Sequence, residues 1–600
     1  DVTVDATKGG ALSYNKFREG AYDENTFQDT WNRCYNGIRQ ASIFIQYADM
    51  SIEHSAEEII DLKAQARFVR AYYYWLLLRK YGPIPLVPDE GFDYNQSYED
   101  LELPRNTYDE CVDYIAKEMV LAAQGLPLKR DQLSITRPTR GAALATRALA
   151  MLYAASPLMN GNDDAYAQQM TNRDGKRLLN PVYDNSKWAK AAAACKDVMG
   201  LGVYHIYTAD FRSTHSIAFP ATIAPPIHPE YSYKNFPEGW QNIDPFESYR
   251  SLFNGQVTAM DNPELIFTRG KNISGERIKD MVIHQLPTAK GWNTHGATMK
   301  QVDAYYMSDG TDCPGMNSEY AGTPAYQGRI DTRPRATGYT TNNTDHKPLP
   351  NGVSLQYAER EPRFYASIAY NGMYWHLGNE PEVQNQDQQV FYYRGDGNGY
   401  ANSMFWLRTG IGVAKYVHPD DTYYNSDAAK VKDKDEPAIR YADILLMYAE
   451  ALNELTASYE VPSWDGSITY TISRNVEDMR TGIKPIRMRA GVPDYDADTY
   501  SNPIKFRIKL KRERQIELFA EGKRYYDLRR WKDAEVEEAM PVYGCYTFMS
   551  NANKDLFHTP VPISNLSATF SPKMYFWPIK HSELKRNKLL TQNPGWTYND

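Results

Sequence analysis

RERQIELFAEGKRYYDLRRW, residues 512–531, and RYADILLMYAEALNE, residues 440–454, decide the reading of this chain. In the first, Glu513 and Glu517 lie one helical turn apart among Arg512, Arg514 and Arg524. Cations at that range favour the charged carboxylate, so the pattern reads as a structural ion network and not as an acid–base pair. Gly522 is the expected terminator between a helix over 503–521 and another over 523–533. In the second stretch, Asp443 and Glu450 are seven residues apart on a helix apolar nearly all round. They therefore face inward, with Arg440 available as a partner three residues before Asp443. Such charges act as internal glue in a helical scaffold.

Working outward, apolar residues recur at three-to-four spacing over about 28–50, 55–81, 106–124, 138–158 and 186–200, and again over 437–456 and 470–481. Ala64, Phe68, Ala71, Trp75 and Leu78 mark one face of such a helix; Gly82 supplies a left-handed end and Pro83 prevents continuation. Paired helices of this length resemble tetratricopeptide packing, although no strict period of about 34 residues is present. Between about 206 and 436, Pro, Gly, Asn and Tyr rise and helical periodicity fades, leaving short strand-like runs such as Glu264 to Thr268 and Phe364 to Ala369. The expected class is mainly α: one domain, with a paired-helix scaffold over 28–205 and 437–600 and a large irregular, loop-rich insertion containing short strands over 206–436.

The composition narrows the function. With 67 Lys+Arg against 75 Asp+Glu, a formal net charge of −8, the 600-residue chain has no basic footprint for nucleic acid. Its 47 Tyr and 11 Trp offer rigid apolar faces with polar tips, which suits flat, partly apolar ligands. No run approaches the roughly 18 to 20 apolar residues of a membrane span. The five cysteines, Cys34, Cys111, Cys195, Cys313 and Cys545, lie far apart without a C-x-x-C pair and read as buried small hydrophobes.

Signs of catalysis are missing. The 11 histidines form no H-E-x-x-H pattern, and neither a G-x-S-x-G elbow nor a phosphate-binding glycine loop occurs. The acidic runs HPDD at 418–421 and DKDE at 433–436 lack the EF-hand pattern, so no cofactor or metal is expected beyond an adventitious calcium in the loop region. A glycosidase needs two carboxyls about 5 to 10 Å apart, one with a raised pKa. The most tempting pair, Glu513 and Glu517, has the wrong surroundings.

The two opening stretches, with QARFVRAYYYWLLLRKYGPIPLV at 65–87 and YFWPIKHSELKRNKLLTQNPGW at 575–596, resemble the signature segments of the SusD-like (SusD/RagB) outer-membrane lipoproteins. RNTYDECVDYIAKEMVLAAQGLP at 105–127, RPTRGAALATRALAMLYAAS at 137–156, NSKWAKAAAACKDVMGLGVYHIY at 185–207, ATMKQVDAYYMSDG at 297–310, AEREPRFYASIAYNG at 358–372 and TGIGVAKYV at 409–417 continue the resemblance in order. It implies a non-catalytic cell-surface protein that captures oligosaccharide or polysaccharide and delivers it to a SusC-like TonB-dependent transporter. An N-terminal lipid anchor in the outer membrane is implied too, although the cysteine that would bear it is missing from this chain. Capture of peptides or glycopeptides, or a helical-repeat interaction scaffold, are the alternatives.

A pyranose offers an apolar C–H face to an aromatic ring and hydroxyls to polar side chains. The expected stacking residues are Trp240, Trp292 and Trp375, with Tyr374 and Tyr392 as secondary faces and Arg394 as polar partner, each in a Gly- or Asn-containing segment that can leave a side chain exposed. Tyr14 and Tyr22, with Phe17, form a secondary candidate rim in the N-terminal stretch 8–27. Trp31 and Trp75, on helices, are expected to be buried.

Overall fold

Helix α1 spans Thr30–Tyr47, α2 Ala56–Tyr81, α3 Tyr108–Gly125, α4 Arg140–Ala155 and α5 Ser186–Gly200. Their starts are written locally. The Ser55 side chain accepts from the Glu58 amide and Glu58 accepts from the Ser55 amide; Thr107 and Glu110 repeat this exchange before α3. Helix α2 stops at Gly82, whose φ of +71° an L side chain resists, and Pro83 follows. In the computed structural model, which describes residues 2–3, 18–25, 30–92, 95–269, 278–288, 290–315, 334–400, 405–563 and 568–597, each of these helices packs on the next. Ala64, Phe68, Ala71, Trp75 and Leu78 all face the resulting core, which also takes Trp31.

The second helical group comprises α6 (Tyr441–Asn453), α7 (Val476–Ala490), α8 (Pro503–Glu517) and α9 (Arg524–Arg530). Helix α6 lies against α5, α7 and α8, which joins the two groups across the long insertion. Three expected boundaries shift. The stretch expected as helix from 470 opens with a strand, Thr469–Ile472, that pairs antiparallel with Tyr459–Pro462; alternating Thr, Tyr and Ile override the helical spacing there. Glu436–Arg440 is likewise a strand, paired with Leu265–Arg269, before α6 begins. Phe364, expected in a strand, lies in a short helix, Pro362–Ser367, started by its proline.

The 206–436 stretch contains short elements over a core of its own. Tyr249, Phe253, Leu286, Tyr305, Phe364 and Val413 are among the residues of this second apolar cluster. A four-stranded antiparallel sheet orders Val2–Thr3, Gly296–Ala297, Gly412–Val413 and Ile368–Ala369 side by side. Helix α8 serves both cores: Phe506 and Leu510 belong to the helical one and Ile516 to the second.

Along α8 the two cores are tied by charge. Glu517 accepts from Arg363 of the insertion at 2.9 Å, from Arg440 at 2.8 Å and from Arg489 of α7. Glu513 accepts from Arg363 at 2.6 Å and Arg487 at 2.8 Å, and Glu521 from Arg440 at 2.8 Å and Lys415 at 2.7 Å. All these groups are buried. The ion network is as expected, but its partners are not the neighbours in sequence. Residues one apart leave a helix in different directions. Arg512 therefore reaches the Ala304 carbonyl, and Arg514 takes Asp443 and Asp527. Asp443 is held by Arg514 and Lys523 rather than by Arg440. All five cysteines are free and buried.

Burial alone would raise the Glu517 carboxyl; Arg489, Arg440 and Arg363 outweigh it and hold it far below the usual range. Burial is likewise outweighed at Glu513, Glu521 and Asp443 by the cations around them. A carboxyl lowered by folding stabilises the fold fully above its unfolded pKa and less as the pH falls towards its folded value. Urea unfolding is therefore expected to need less denaturant as the pH drops below about 4.5. Glu517→Gln is expected to lose about 3–5 kcal/mol at pH 7 and to respond less to acid; a variant unfolding like the wild type at both pH values would contradict the network.

Candidate functional site

The loop carrying Arg394 turns back on itself through the sequence RGDGNGY, 394–400. Arg394 donates its amide to the Met549 carbonyl at 2.9 Å, which brings the turn beside the segment 546–549. There the Tyr400 ring meets Trp406 at 5.0 Å and Phe548 at 4.7 Å, both edge-on, and Tyr546 meets Phe548 at 6.4 Å. Edge-to-face contact lets rings support one another without covering their faces. Tyr400, Tyr546 and Phe548 are 38%, 38% and 44% exposed, an open aromatic surface, while Trp406 is buried beneath them. The Arg408 guanidinium lies 4.1 Å from the Trp406 ring centre, and that of Arg394 lies 6.0 Å from Tyr400.

A second aromatic group sits on the adjoining loops. Trp292 is half-buried, with His284 edge-on at 4.6 Å and Tyr423 at 6.1 Å. Beneath it His284 stacks on His295, whose imidazole burial drives down to about 3. Glu380 organises these loops. Its buried carboxylate accepts from the Lys290 ammonium at 2.5 Å and the Thr422 hydroxyl at 2.6 Å, while the Tyr423 amide donates to the Lys290 carbonyl at 2.7 Å. Hydrogen bonds then stitch this group to the first: the Asn293 side-chain amide donates to the carbonyls of Asn398 and Phe405 at 2.9 and 3.1 Å, and the Thr288 backbone amide donates to the Asn398 side-chain oxygen at 2.7 Å.

Of the residues expected from sequence, the structure thus places Arg394 and Trp292 on two joined loops, with Tyr374, 36% exposed, on a nearby hairpin strand. Exposure fails at four positions. Trp375, one residue along the same strand, points inward because side chains alternate across a strand, and is 4% exposed. Tyr392 is 2% exposed within the second core. Trp240 packs with Tyr231, Ile243 and Met488 of α7 and anchors its loop to the scaffold. Tyr22 is buried against Trp596 and Met574, which removes it as a rim, and Tyr14 and Phe17 lie outside the described residues.

The four acids tied into the arginine network hold no proton to give: Glu513, Glu517, Asp443 and Glu450 are all lowered and ion-paired, whereas a glycosidic acid must be raised. Among the described residues, no group of three or more His, Cys, Asp or Glu is placed to hold a metal ion, and no helix is long and apolar enough to cross a membrane.

The family model described as "SusD family" matches residues 261–596, more than half of the chain. The chain belongs to the SusD family. A second model, described as "starch-binding associating with outer membrane", matches residues 2–153. No curated protein matches it significantly. Among solved structures, BT4246 is similar with a TM-score of 0.75 and 22% identity over 97% of this chain and 92% of that one. A SusD-like protein from Bacteroides fragilis NCTC 9343 gives 0.64 and 23% over 95% and 86%. A SusD-like carbohydrate-binding protein from the same organism gives 0.59 and 20% over 94% and 85%. These likenesses confirm the mainly helical SusD-like fold.

Tyr400, Trp406, Tyr546 and Phe548 are not among the residues expected from sequence. Tyr546 and Phe548 arrive from more than a hundred residues away, and nothing local signals that meeting. On these loops, Glu380→Ala leaves the Lys290 ammonium without its carboxylate. It is expected to cost about 3 kcal/mol and to speed hydrogen exchange at Thr422 and Tyr423 selectively. Unchanged exchange there would remove Glu380 from its organising role.

Proposed function

We propose that this chain captures oligosaccharide or polysaccharide at the cell surface, at the joined loops bearing Trp292 and the Tyr400–Trp406–Phe548 cluster, and delivers it without chemistry to a TonB-dependent outer-membrane transporter. Anchoring in the outer membrane by an N-terminal lipid is part of the proposal. The carrying observation is the open aromatic cluster, the rings of Tyr400, Phe548 and Tyr546 held apart by edge-on contacts over the buried Trp406, with Arg394 at its border. Such rings take the C–H faces of sugars, and the guanidinium takes hydroxyls. Tyr374 is a further face at the margin. Family membership supports the role, as do the likenesses to a carbohydrate-binding SusD-like protein of Bacteroides fragilis and to a surface glycan-binding protein of Bacteroides uniformis, the latter with a TM-score of 0.50 and 15% identity.

Stacking contributes about 0.5–1.5 kcal/mol per ring beyond burial, which places affinity in the micromolar to millimolar range and permits release. Native gels containing diverse polysaccharides are expected to retard the protein without new reducing ends appearing. Tyr400→Ala and Trp292→Ala are each expected to weaken retardation up to about tenfold. Liberated sugar would reveal a hydrolase, and no retardation by any polysaccharide, with binding to extended peptides instead, would transfer the site to peptide capture.

A further inference from the structure

We propose that Asp396 is the hydroxyl acceptor of this site and that the ligand it selects is a neutral pyranose chain, gripped through two adjacent free hydroxyls. The inference rests on the glycan reading above and deepens it.

Asp396 stands at the tip of the 394–400 turn. Its amide donates to the Tyr393 carbonyl at 3.1 Å, and its carbonyl accepts from the Gly399 amide at 3.0 Å. The glycines shape this turn in opposite ways. A Cβ at Gly399 would sit 1.8 Å from the Tyr393 carbonyl oxygen, so the base of the turn is pressed onto the aromatic strand. At Gly395, with φ +96°, and at Gly397 a Cβ would meet nothing within 4 Å, so the outer rim beside the carboxylate is open. Arg394 and Tyr400 bracket the turn.

The carboxylate is half-buried, and burial alone raises it: no charge and no hydrogen bond from the described residues holds it in place. Other acids around the loops are occupied. Glu380 holds Lys290 and Thr422, Asp387 meets His376 at 2.6 Å, and Asp555 accepts from the Tyr339 hydroxyl at 2.9 Å. A partly dehydrated carboxylate without donors is unfavourable, and a ligand that brings donors relieves it. A single carboxylate is too few oxygens for a hard cation. Two adjacent hydroxyls match its two oxygens, and the neighbouring rings receive the sugar's C–H face. A carboxylate or sulfate on the ligand would instead face a like charge. Arg394 does not cancel that charge, since it makes no ion pair with Asp396 and its guanidinium lies 6.0 Å from the Tyr400 ring centre, and Arg408 is buried and turned onto Trp406.

Calorimetric titration of the intact protein with neutral hexaoses of the gluco-, manno-, galacto- and xylo- series, and with hexagalacturonate, tests the inference. Wild type is expected to bind at least one neutral hexaose. Asp396→Asn is expected to bind that hexaose at least tenfold more weakly while melting at the same or a higher temperature, since the substitution removes an unpaired charge; a merely structural Asp396 would lower the melting temperature instead. Wild-type affinity in Asp396→Asn would overturn the inference and leave the glycan reading standing. So would binding of hexagalacturonate in preference to every neutral hexaose. If neither these probes nor any polysaccharide in the native gel binds, the glycan reading falls and this inference falls with it.

Discussion

The buried carboxylate of Glu517 joins three arginines drawn from three parts of the chain: Arg363 from the insertion, Arg440 from the start of α6 and Arg489 from α7. Everything that presents the loops depends on that junction. Two apolar cores lie on either side of α8, and apolar contact alone is non-directional; it would let them slide. Charges taken out of water are favourable only when every partner is present with good geometry, so one register between the cores is acceptable and its neighbours are not. For such a lattice the gain is in specifying the arrangement more than in net stability.

Much of this was legible. The helical halves follow from apolar spacing, capping residues and Gly82, and the ion-paired state of Glu513 and Glu517 agrees with their cation-rich stretch, although Arg512, Arg514 and Arg524 are not the cations that hold them. The partners of those acids were not legible, because Arg363 and Glu513 are 150 residues apart and periodicity carries no information about such distances. The strand at Thr469–Ile472 was misread because four residues of mixed character fit a helical turn as well as a strand until Tyr459–Pro462 supplies its partner.

In the site, residue type was a better guide than residue position. Glycine- and asparagine-rich segments did mark loops with open aromatics, yet Trp375 and Tyr374 show how one step along a strand reverses a side chain's fate. Trp240 shows a different limit. A loop must be fastened somewhere, and a large ring is the natural fastener. The faces left open are instead tyrosines and a phenylalanine, with the cluster's tryptophan beneath them as support.

The junction along α8 has one more property. Mobile ions weaken an attraction only where they can approach it, and at Glu513 and Glu517, both 0% exposed, they cannot. Seawater and fresh water would find the two cores joined alike. Ionic strength acts on what this molecule meets at its surface, and leaves untouched the charges that hold it together.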